Sequence, residues 1–472
     1  MQILTSALTV GTWHHICCTM DHSTEAKIYI DGNLENTKSG SNLGTSAGST
    51  FYIGNEPGHS QYYSALSPSE VLSLYNDETA TTASSLNFPS GKTATATYMF
   101  DGNANDVSGN FNGTSSTSTI GSGPNALNVG YVGTQFKPDM VWMKIRSTTG
   151  NWQVFDSVSA TPGTSVSNSR KYWNLQNSMI DDPGGVTAFE TNGFTMGSSG
   201  NLNTNGGYYG AMALRAGGAT TATNSAGAGN IPTAGSVKIN DADSTTALAG
   251  TLAAKRISAN TLTGFSIVNY TSTGTGGDTV AHGLGVAPDT IIFKSNSNNG
   301  NWLIFNVGLG DNYLYMNGTS GGSSTNWCSV SNTTFTLNTA IGNDNNTNGV
   351  TYTAYCFANG THFHSGTYTG NGSGAYNNTV AKTITTGFQP SAVILGRSGD
   401  SRVGFDNQRI NDQGSSRMIY NFAYYNLQNS EAQATYNGGY YALVNFASTG
   451  LELGQDPSQN VNYNGATFWN LA

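Results

Sequence analysis

The stretch from Val286 to Asn306 reads VAPDTIIFKSNSNNGNWLIFN, and the chain contains it in three related forms. The first copy, FKPDMVWMKIRSTTGNWQVFD, runs from Phe136 to Asp156 and aligns with the second without a gap. The third copy, FQPSAVILGRSGDSRVGFD, runs from Phe388 to Asp406 and keeps the proline, the apolar run and the Phe-Asp ending. It is two residues shorter than the others between that proline and the phenylalanine. Repetition of this kind indicates a modular protein.

Each copy begins the same series of short strands. The run after the proline, Ile291 to Phe293 in the second copy, is apolar on both faces, as in a strand at the centre of a sandwich. A strand ending at phenylalanine, a strand containing tyrosine, a Gly-Phe-x-Met type of strand and a final aromatic strand follow. An Asn-Gly pair, typical of tight hairpin turns, precedes the last strand in every copy: Asn205-Gly206, Asn348-Gly349 and Asn464-Gly465.

The composition favours an all-β protein built of serial β-sandwich, jelly-roll-like domains. Charged residues are only 10% of the chain, against about 25% in ordinary soluble domains, and the aromatic 11% falls in short alternating runs. Lysine and arginine are scattered and the net charge is −9, so no basic patch indicates nucleic acid. No apolar run approaches the roughly 20 residues that span a bilayer, so we expect no membrane insertion. The N-terminus lacks the order of a signal peptide, which indicates synthesis in a cytosol.

The repeats and the composition together predict six segments. They are an N-terminal unit (1–76), a polar linker (77–95), repeat 1 preceded by an additional hairpin (96–216), a flexible linker (217–234), repeat 2 (235–361) and repeat 3 (362–472). Residues 235–260 fit either an extra hairpin or a packed crossing arm.

The N-terminal unit resembles the C-terminal half of the laminin-G-like, concanavalin-like jelly rolls. The matching positions are Trp13 and His14, Tyr29 with Asp31-Gly32, Ile53-Gly54 and the stretch from Leu66 to Asn76. A complete domain of that family has several strands before the Trp-His strand. We therefore expect a neighbouring chain or a docked protein to complete this sandwich.

The repeat resembles an uncharacterised β-domain that recurs in marine bacteriophage virion proteins, mainly tail-fibre-like appendages. The phrases that carry the resemblance are the stretch from Thr263 to Lys294, NGNWLIF, TYTAYCFANG and SGTYTGNGSG. The third copy departs from the pattern, with Arg402 where the others have tryptophan.

The resemblance implies a non-catalytic virion appendage, a tail fibre or receptor-binding protein made in the host cytoplasm. Its expected partners are further copies in a homotrimeric fibre, a phage tail or capsid protein at the N-terminal region, and a receptor or glycan on a bacterial surface. Two alternatives stay open: a capsid head fibre or decoration protein, and a bacterial carbohydrate-binding adhesin.

Paired tyrosines are the candidate contacts to a sugar or receptor, because aromatic rings stack on sugar rings. They are Tyr208, Tyr209, Tyr424, Tyr425, Tyr440 and Tyr441. Such pairs are also typical of a strand with one ring inside and one outside, and that interpretation is favoured.

His362 and His364 form the candidate metal site. On a strand both side chains would face the same way, and near a threefold axis they could supply six imidazoles to one octahedral ion. The alternative is a pair of exposed histidines at a domain junction.

No set of residues predicts catalysis or a cofactor, so we expect no enzyme. The acidic pairs Asp181-Asp182 and Asp241/Asp243 lie in turn-like sequence. Asp101, Asn103, Asn105 and Asp106 could hold Ca²⁺, but a structural hairpin is favoured there. Cys328 and Cys356 could meet within one repeat, although two buried apolar side chains are the favoured interpretation.

Overall fold

The structure is a computed structural model. It describes residues 16–21, 25–30, 33–39, 131–134, 136–145, 148–198, 202–204, 209–372, 380, 382–399, 403–406, 421–424, 432–433, 435–436, 439–440, 444–454 and 461–472. The chain divides into two compact units, Met1–Tyr131 and Val132–Ala472. Among the described residues, the helices are too short and too polar to cross a bilayer.

In the first unit, three strands form an antiparallel sheet in the order β1-β2-β3: β1 (Ile16–Asp21), β2 (Glu25–Ile30) and β3 (Asn33–Ser39). The pairing of Ile30 with Asn33 places the predicted hairpin between β2 and β3. Tyr29 and Ile30 are buried, whereas nearly all of β3 is exposed. The other positions of the jelly-roll resemblance lie outside the described residues.

Repeat 1 is a sandwich of two antiparallel sheets. Its strands are β4 (Tyr131–Gly133), β5 (Met140–Ile145), β6 (Gln153–Asp156), β7 (Lys171–Tyr172), β8 (Val186–Glu190), β9 (Gly193–Met196) and β10 (Tyr209–Leu214). A 3-10 helix over Val166–Ser169 precedes β7. The large sheet has the order β10-β5-β6-β7, and the small sheet has the order β4-β9-β8.

Repeat 2 has the same plan with additions at both edges. Its strands are β11 (Val237–Ile239), β12 (Ala242–Asp243), β13 (Arg256–Asn260), β14 (Phe265–Thr271), β15 (Asp278–Ala281), β16 (Thr290–Ser295), β17 (Trp302–Asn306), β18 (Asn312–Tyr315), β19 (Gly321–Ser323), β20 (Cys328–Val330), β21 (Thr334–Leu337) and β22 (Thr351–Phe357). A 3-10 helix covers Val307–Leu309. The large sheet is β12-β11-β13-β14-β22-β16-β17-β18-β19 and the small sheet is β15-β21-β20.

Repeat 3 follows the plan again. Its strands are β23 (Ser365–Thr369), β24 (Lys382–Thr385), β25 (Ala392–Gly396), β26 (Val403–Asp406), β27 (Asn421–Tyr424), β28 (Ala432–Gln433), β29 (Thr435–Tyr436), β30 (Gly439–Tyr440), β31 (Val444–Ala447), β32 (Gly450–Leu453) and β33 (Thr467–Leu471). The large sheet is β23-β33-β25-β26-β27-β28, the small sheet is β24-β32-β31, and β29 pairs with β30. The all-β prediction is therefore confirmed.

The last strand of every repeat lies beside the strand that follows the proline. Trp142 opposes Met212, Ile292 opposes Tyr355 and Ile394 opposes Leu471. This closing strand brings the chain back beside the first strand of the recurring stretch, at the edge of the large sheet of repeat 1 and inside the large sheets of repeats 2 and 3.

The large sheets are apolar on both faces because each face packs on something different. In β16, Ile291 and Phe293 point into the sandwich core of repeat 2. Ile292, between them, lies in a second core that also contains residues of repeat 1 and of repeat 3, such as Trp173 and Trp469. We call this second core the shared core. The repeats are thus joined through the backs of their large sheets.

The segment 217–234 differs from the flexible linker that its composition predicts. Asn224 is buried, and its side chain accepts hydrogen bonds from the backbone N–H groups of Ala226 (3.0 Å) and Thr233 (3.1 Å). The backbone of Thr221 also bonds to Gly235 O at 2.8 Å. Because small residues allow close backbone approach, this stretch packs against repeat 2. Beyond it, β11 and β12 form a hairpin on the edge of the large sheet, which decides between the two alternatives for 235–260.

Gly217 is the tightest point of this segment, and Gly217→Ala should lower stability. A Cβ there would collide with the carbonyl oxygen of Ala259 and lie 2.6 Å from that of Lys238. We expect a cost of about 1–3 kcal/mol in urea unfolding, as for an overpacked site. Gly227→Ala is the matched control, because its Cβ would meet only Asn230 Nδ2 at 3.5 Å. Equal midpoints for the two variants would contradict the close approach at Gly217.

Candidate functional site between the repeats

Aromatic rings from repeats 1 and 2 pack in a row across the shared core. The ring of Trp173 lies 3.9 Å from that of Trp142 and 4.3 Å from that of Trp302, centroid to centroid. Trp302 in turn stacks on Tyr355 at 5.9 Å, and its Nε1 donates to Tyr172 O at 2.8 Å. Trp173 and Trp302 are therefore packing residues that join the two repeats.

A buried ion pair lies beside this row. Lys171 Nζ donates to Asp156 Oδ2 at 2.8 Å, and neither side chain has any exposed surface. Tyr355 of repeat 2 donates its hydroxyl to the same oxygen at 2.7 Å. Ser159 Oγ donates to it as well, at 2.8 Å, and lies 2.8 Å from Thr353 Oγ1 of repeat 2. Repeat 1 thus presents a carboxylate that repeat 2 helps to satisfy.

The electrostatics of this pair reflect its burial. Burial alone would raise the pKa of Asp156, but the attraction of Lys171 and the hydrogen bonds hold it below the usual aspartate range. Burial lowers the pKa of Lys171, and Asp156 opposes that shift. Because the groups are sealed from water, the cluster is suited to joining repeats and unsuited to acting on a dissolved substrate.

Arg256 of repeat 2 completes the cluster from the other side. Its guanidinium donates to the carbonyl oxygens of Ala160 and Ser159, the latter at 3.2 Å. These two residues belong to the chain that leaves β6, so a cation of repeat 2 holds a turn of repeat 1.

A second buried lysine spans the same interface. Lys294 Nζ donates to Gly300 O at 2.7 Å and to Gln176 O of repeat 1 at 3.0 Å. Burial lowers the pKa of Lys294 to about 7, against the opposing attraction of Asp344. Its counterpart in repeat 1, Lys144, makes the equivalent bond to Gly150 O at 3.0 Å.

Lys294 should make stability depend on pH. Its pKa falls from 10.5 to about 7 on folding, so the unfolded chain binds the proton more strongly and stability rises from pH 7 towards 10.5. At 1.36 kcal/mol per pKa unit, the protein should gain about 2–3 kcal/mol between pH 7 and 9 relative to Lys294→Met. The comparison is made by urea unfolding, with Lys144→Met as the control for loss of a buried lysine stem. A difference that stays constant over this pH range would contradict the assignment.

In repeats 1 and 2, the aspartate after the proline holds the chain where it leaves the repeat. Asp139 Oδ2 accepts from the N–H groups of Ala216 (2.9 Å) and Gly218 (3.2 Å). At the equivalent place in repeat 2, Asp289 Oδ2 accepts from Asn359 N at 2.7 Å. The Pro-Asp pair of the recurring stretch therefore anchors the start of the following segment.

The predicted tyrosine contacts are only partly described. Tyr209 lies on β10, is half-buried, and its hydroxyl accepts from Thr204 N at 2.9 Å. Tyr352 makes the equivalent bond with Thr347 N at 3.0 Å in repeat 2. In repeat 2 this tyrosine therefore holds the turn at Asn346–Gly349 in place. Tyr424 and Tyr440 are described in the backbone only, and Tyr208, Tyr425 and Tyr441 lie outside the described residues.

The predicted histidine pair lies just before β23, in the segment between repeats 2 and 3. His362 is exposed, and its Nδ1 lies 2.9 Å from Thr361 Oγ1. His364 is half-buried, with Nδ1 3.2 Å from Asn470 Oδ1. Phe363 between them packs on Phe265 and Phe357. The described part of the chain holds no cluster of three or more metal-ligating side chains.

Among the remaining candidates, Asp182, Asp243 and the two cysteines have ordinary structural surroundings. Asp182 pairs with Arg170 at 2.5 Å, and Asp243 pairs with Lys238 at 2.6 Å. Cys328 and Cys356 are buried free thiols in repeat 2. The Asp101 to Asp106 stretch and Arg402 lie outside the described residues.

Comparison with known families assigns most of the chain to one family. The family described as Domain of unknown function (DUF7483) matches residues 108–241 and 238–472, which is more than half of the chain. The chain belongs to this family. The second DUF7483 match runs through repeat 2 and repeat 3 together, so the family pattern extends across a junction between repeats.

The N-terminal resemblance is confirmed at the level of the family. The Concanavalin A-like lectin/glucanases superfamily matches residues 2–67. No curated protein and no solved structure shows significant similarity to the chain.

Sequence reasoning identified the recurring stretch of this DUF7483 protein but missed the contacts between its copies. Lys171 and Tyr355 belong to different repeats, and although Tyr355 lies in the recurring phrase TYTAYCFANG, nothing in the sequence links it to Lys171 or Asp156. The available signal was the apolar character of both faces of β5 and β16, which requires a cover on the second face. Three copies of one module in one chain supply such a cover.

Proposed function

We propose that the chain is a non-catalytic structural protein of a bacteriophage particle, a tail fibre or receptor-binding protein that contacts the host surface. The observation that carries the proposal is the shared core. Three sandwiches packed back to back form a stiff body, and stiffness is what an appendage needs to hold a binding surface away from a particle. The family resemblance of the repeat supports the same role.

The chemistry of the described residues supports a role without catalysis. Asp156, Lys171 and Lys294, whose pKa values are shifted on folding, are buried between repeats and bonded to protein atoms. Acid and base catalysis needs such groups within reach of a bound substrate. The proposed binding role belongs instead to the exposed turns that connect the strands.

The proposed assembly is a homotrimer whose N-terminal region joins a tail or capsid protein. The proposed receptor is a protein or glycan of a bacterial surface. A lectin-superfamily match at residues 2–67 supports a place for carbohydrate or assembly contacts in that region. Mass measurement of the purified full chain tests the trimer, and a stable monomer would contradict it.

Antibody labelling of intact phage particles tests the location. Label at the distal tail is the expected result, and adsorption to host cells should fall when the full chain is added as a competitor. Label confined to the head would favour a capsid decoration protein. Particles without label, together with undiminished adsorption, would overturn the virion proposal in favour of a cell-surface adhesin.

A further inference from the structure

The residue that follows the recurring phenylalanine stands at the same structural position in repeats 1 and 2. Asp156 ends β6 and opposes Met140, and Asn306 ends β17 and opposes Thr290. Both are fully buried. Oδ1 accepts from the N–H two residues later in each case, Val158 N and Gly308 N, both at 2.9 Å. We call this the post-Phe position.

The other polar atom of this side chain reaches the following repeat. Asp156 Oδ2 receives the hydroxyl of Tyr355. Asn306 Nδ2 donates to Ser365 Oγ at 3.3 Å and to Thr290 Oγ1 at 2.8 Å. Trp469 Nε1 of repeat 3 donates to the same two hydroxyls at 3.2 Å. The post-Phe side chain therefore has the same geometry within repeats 1 and 2 and contacts the following repeat in both, at the last strand of repeat 2 through Tyr355 and at the first strand of repeat 3 through Ser365.

The contact between repeats 1 and 2 (the first junction) contains charged side chains, and the contact between repeats 2 and 3 (the second junction) contains neutral ones. In each case, a second residue of the same repeat matches the charge of the post-Phe residue. Register places Lys171 opposite Val154 and Leu314 opposite Ile304, which are equivalent positions. Leu314 is buried in the shared core. The first junction therefore contains a carboxylate with a lysine, and the second an amide with a leucine. A carboxylate buried without its cation, or a cation without its carboxylate, is strongly unfavourable.

We propose that the post-Phe side chain is the polar contact by which repeats 1 and 2 each dock on the following repeat, and that the residue at the Lys171 or Leu314 position on the next strand must match its charge. The ionic pair Asp156–Lys171 fits the tyrosine hydroxyl of repeat 2, and the neutral pair Asn306–Leu314 fits the serine hydroxyl and indole N–H of repeat 3. Changing one member of a pair without the other is disfavoured, because a buried charge would then have no partner. This inference concerns the joining of repeats and does not rest on the proposed function.

Hydrogen exchange of the full chain tests the pairing. Asp156→Asn alone leaves the buried Lys171 ammonium without its carboxylate. The amides of β5, β6 and β22 should therefore exchange about 100-fold faster or more, while those of β33 keep their protection. The double variant Asp156→Asn with Lys171→Leu reproduces the neutral pair of repeat 2 and should recover most of the lost protection.

The opposite substitutions, made in repeat 2, provide the second arm of the experiment. Asn306→Asp should raise exchange in β17 and β23, and adding Leu314→Lys should reduce that effect. Retained protection within the sandwich core of the substituted repeat, in β9 for the Asp156 variants and in β21 for the Asn306 variants, shows that each variant has folded. The proposal is overturned if the amides of the Asp156→Asn variant are as well protected as those of the wild-type protein. It is overturned too if neither second substitution restores protection. It is overturned also if Asn306→Asp has no effect.

Discussion

Trp302→Ala should destabilise repeats 1 and 2 together. The indole is fully buried, lies 4.3 Å from the ring of Trp173, and donates to Tyr172 O of repeat 1. Its removal leaves a cavity in the shared core and takes one hydrogen bond from the Tyr172 carbonyl, for which we expect a loss of about 3–5 kcal/mol. Urea unfolding followed by near-UV circular dichroism measures the loss, and hydrogen exchange assigns it to strands.

Leu262→Ala is the control for this variant, because Leu262 is 79% exposed at a turn. Its effect should stay within about 0.5 kcal/mol. A Trp302→Ala loss confined to strands of repeat 2, with β5 and β6 unchanged in exchange, would show that the repeats are independent.

Asp156→Ala should cost about as much, for an electrostatic reason. The substitution leaves the Lys171 ammonium buried without its carboxylate, and breaking a buried pair in this way costs about 3–5 kcal/mol. The Tyr355 hydroxyl loses its acceptor at the same time. Urea unfolding at pH 7 measures the effect, and Asp243→Ala, which breaks the partly exposed pair with Lys238, should change little.

The same variant predicts a change in acid sensitivity. The folded-state pKa of Asp156 is lowered, so its contribution is present above the ordinary aspartate pKa and is lost as pH falls through the folded-state value. The wild-type protein should therefore lose more stability on acidification below about pH 4 than Asp156→Ala does. Parallel acid unfolding curves would contradict the assignment of the ion pair.

Much of the fold could be predicted from the sequence, because comparing the three copies shows which positions recur. The proline, the apolar strand and the Asn-Gly turn recur at matched places, and the strands of repeat 2 fall where that pattern puts them, for example β16 at Thr290–Ser295. A strand that is apolar at successive positions is buried on both faces, and so the central position of β16 in its sheet was predictable.

The docking of the repeats was not predictable in the same way. Burial of both faces of β5 does not say what covers the second face, and Asp156 and Tyr355 are far apart in sequence. Residues 217–234 illustrate a further limit: a composition rich in alanine, glycine and threonine is typical of flexible linkers, but it also allows the close backbone packing seen at Gly217. The tertiary contact, and not the composition, decides between these outcomes.

The central claim is that the three repeats are joined into one body through the shared core. Native-state hydrogen exchange of the full chain in increasing urea tests it directly, by comparing the opening free energies of β5, β16 and β25. The account predicts that Trp302→Ala lowers the opening free energy of β5 as well as that of β16. An opening free energy for β5 unchanged by Trp302→Ala would contradict the account.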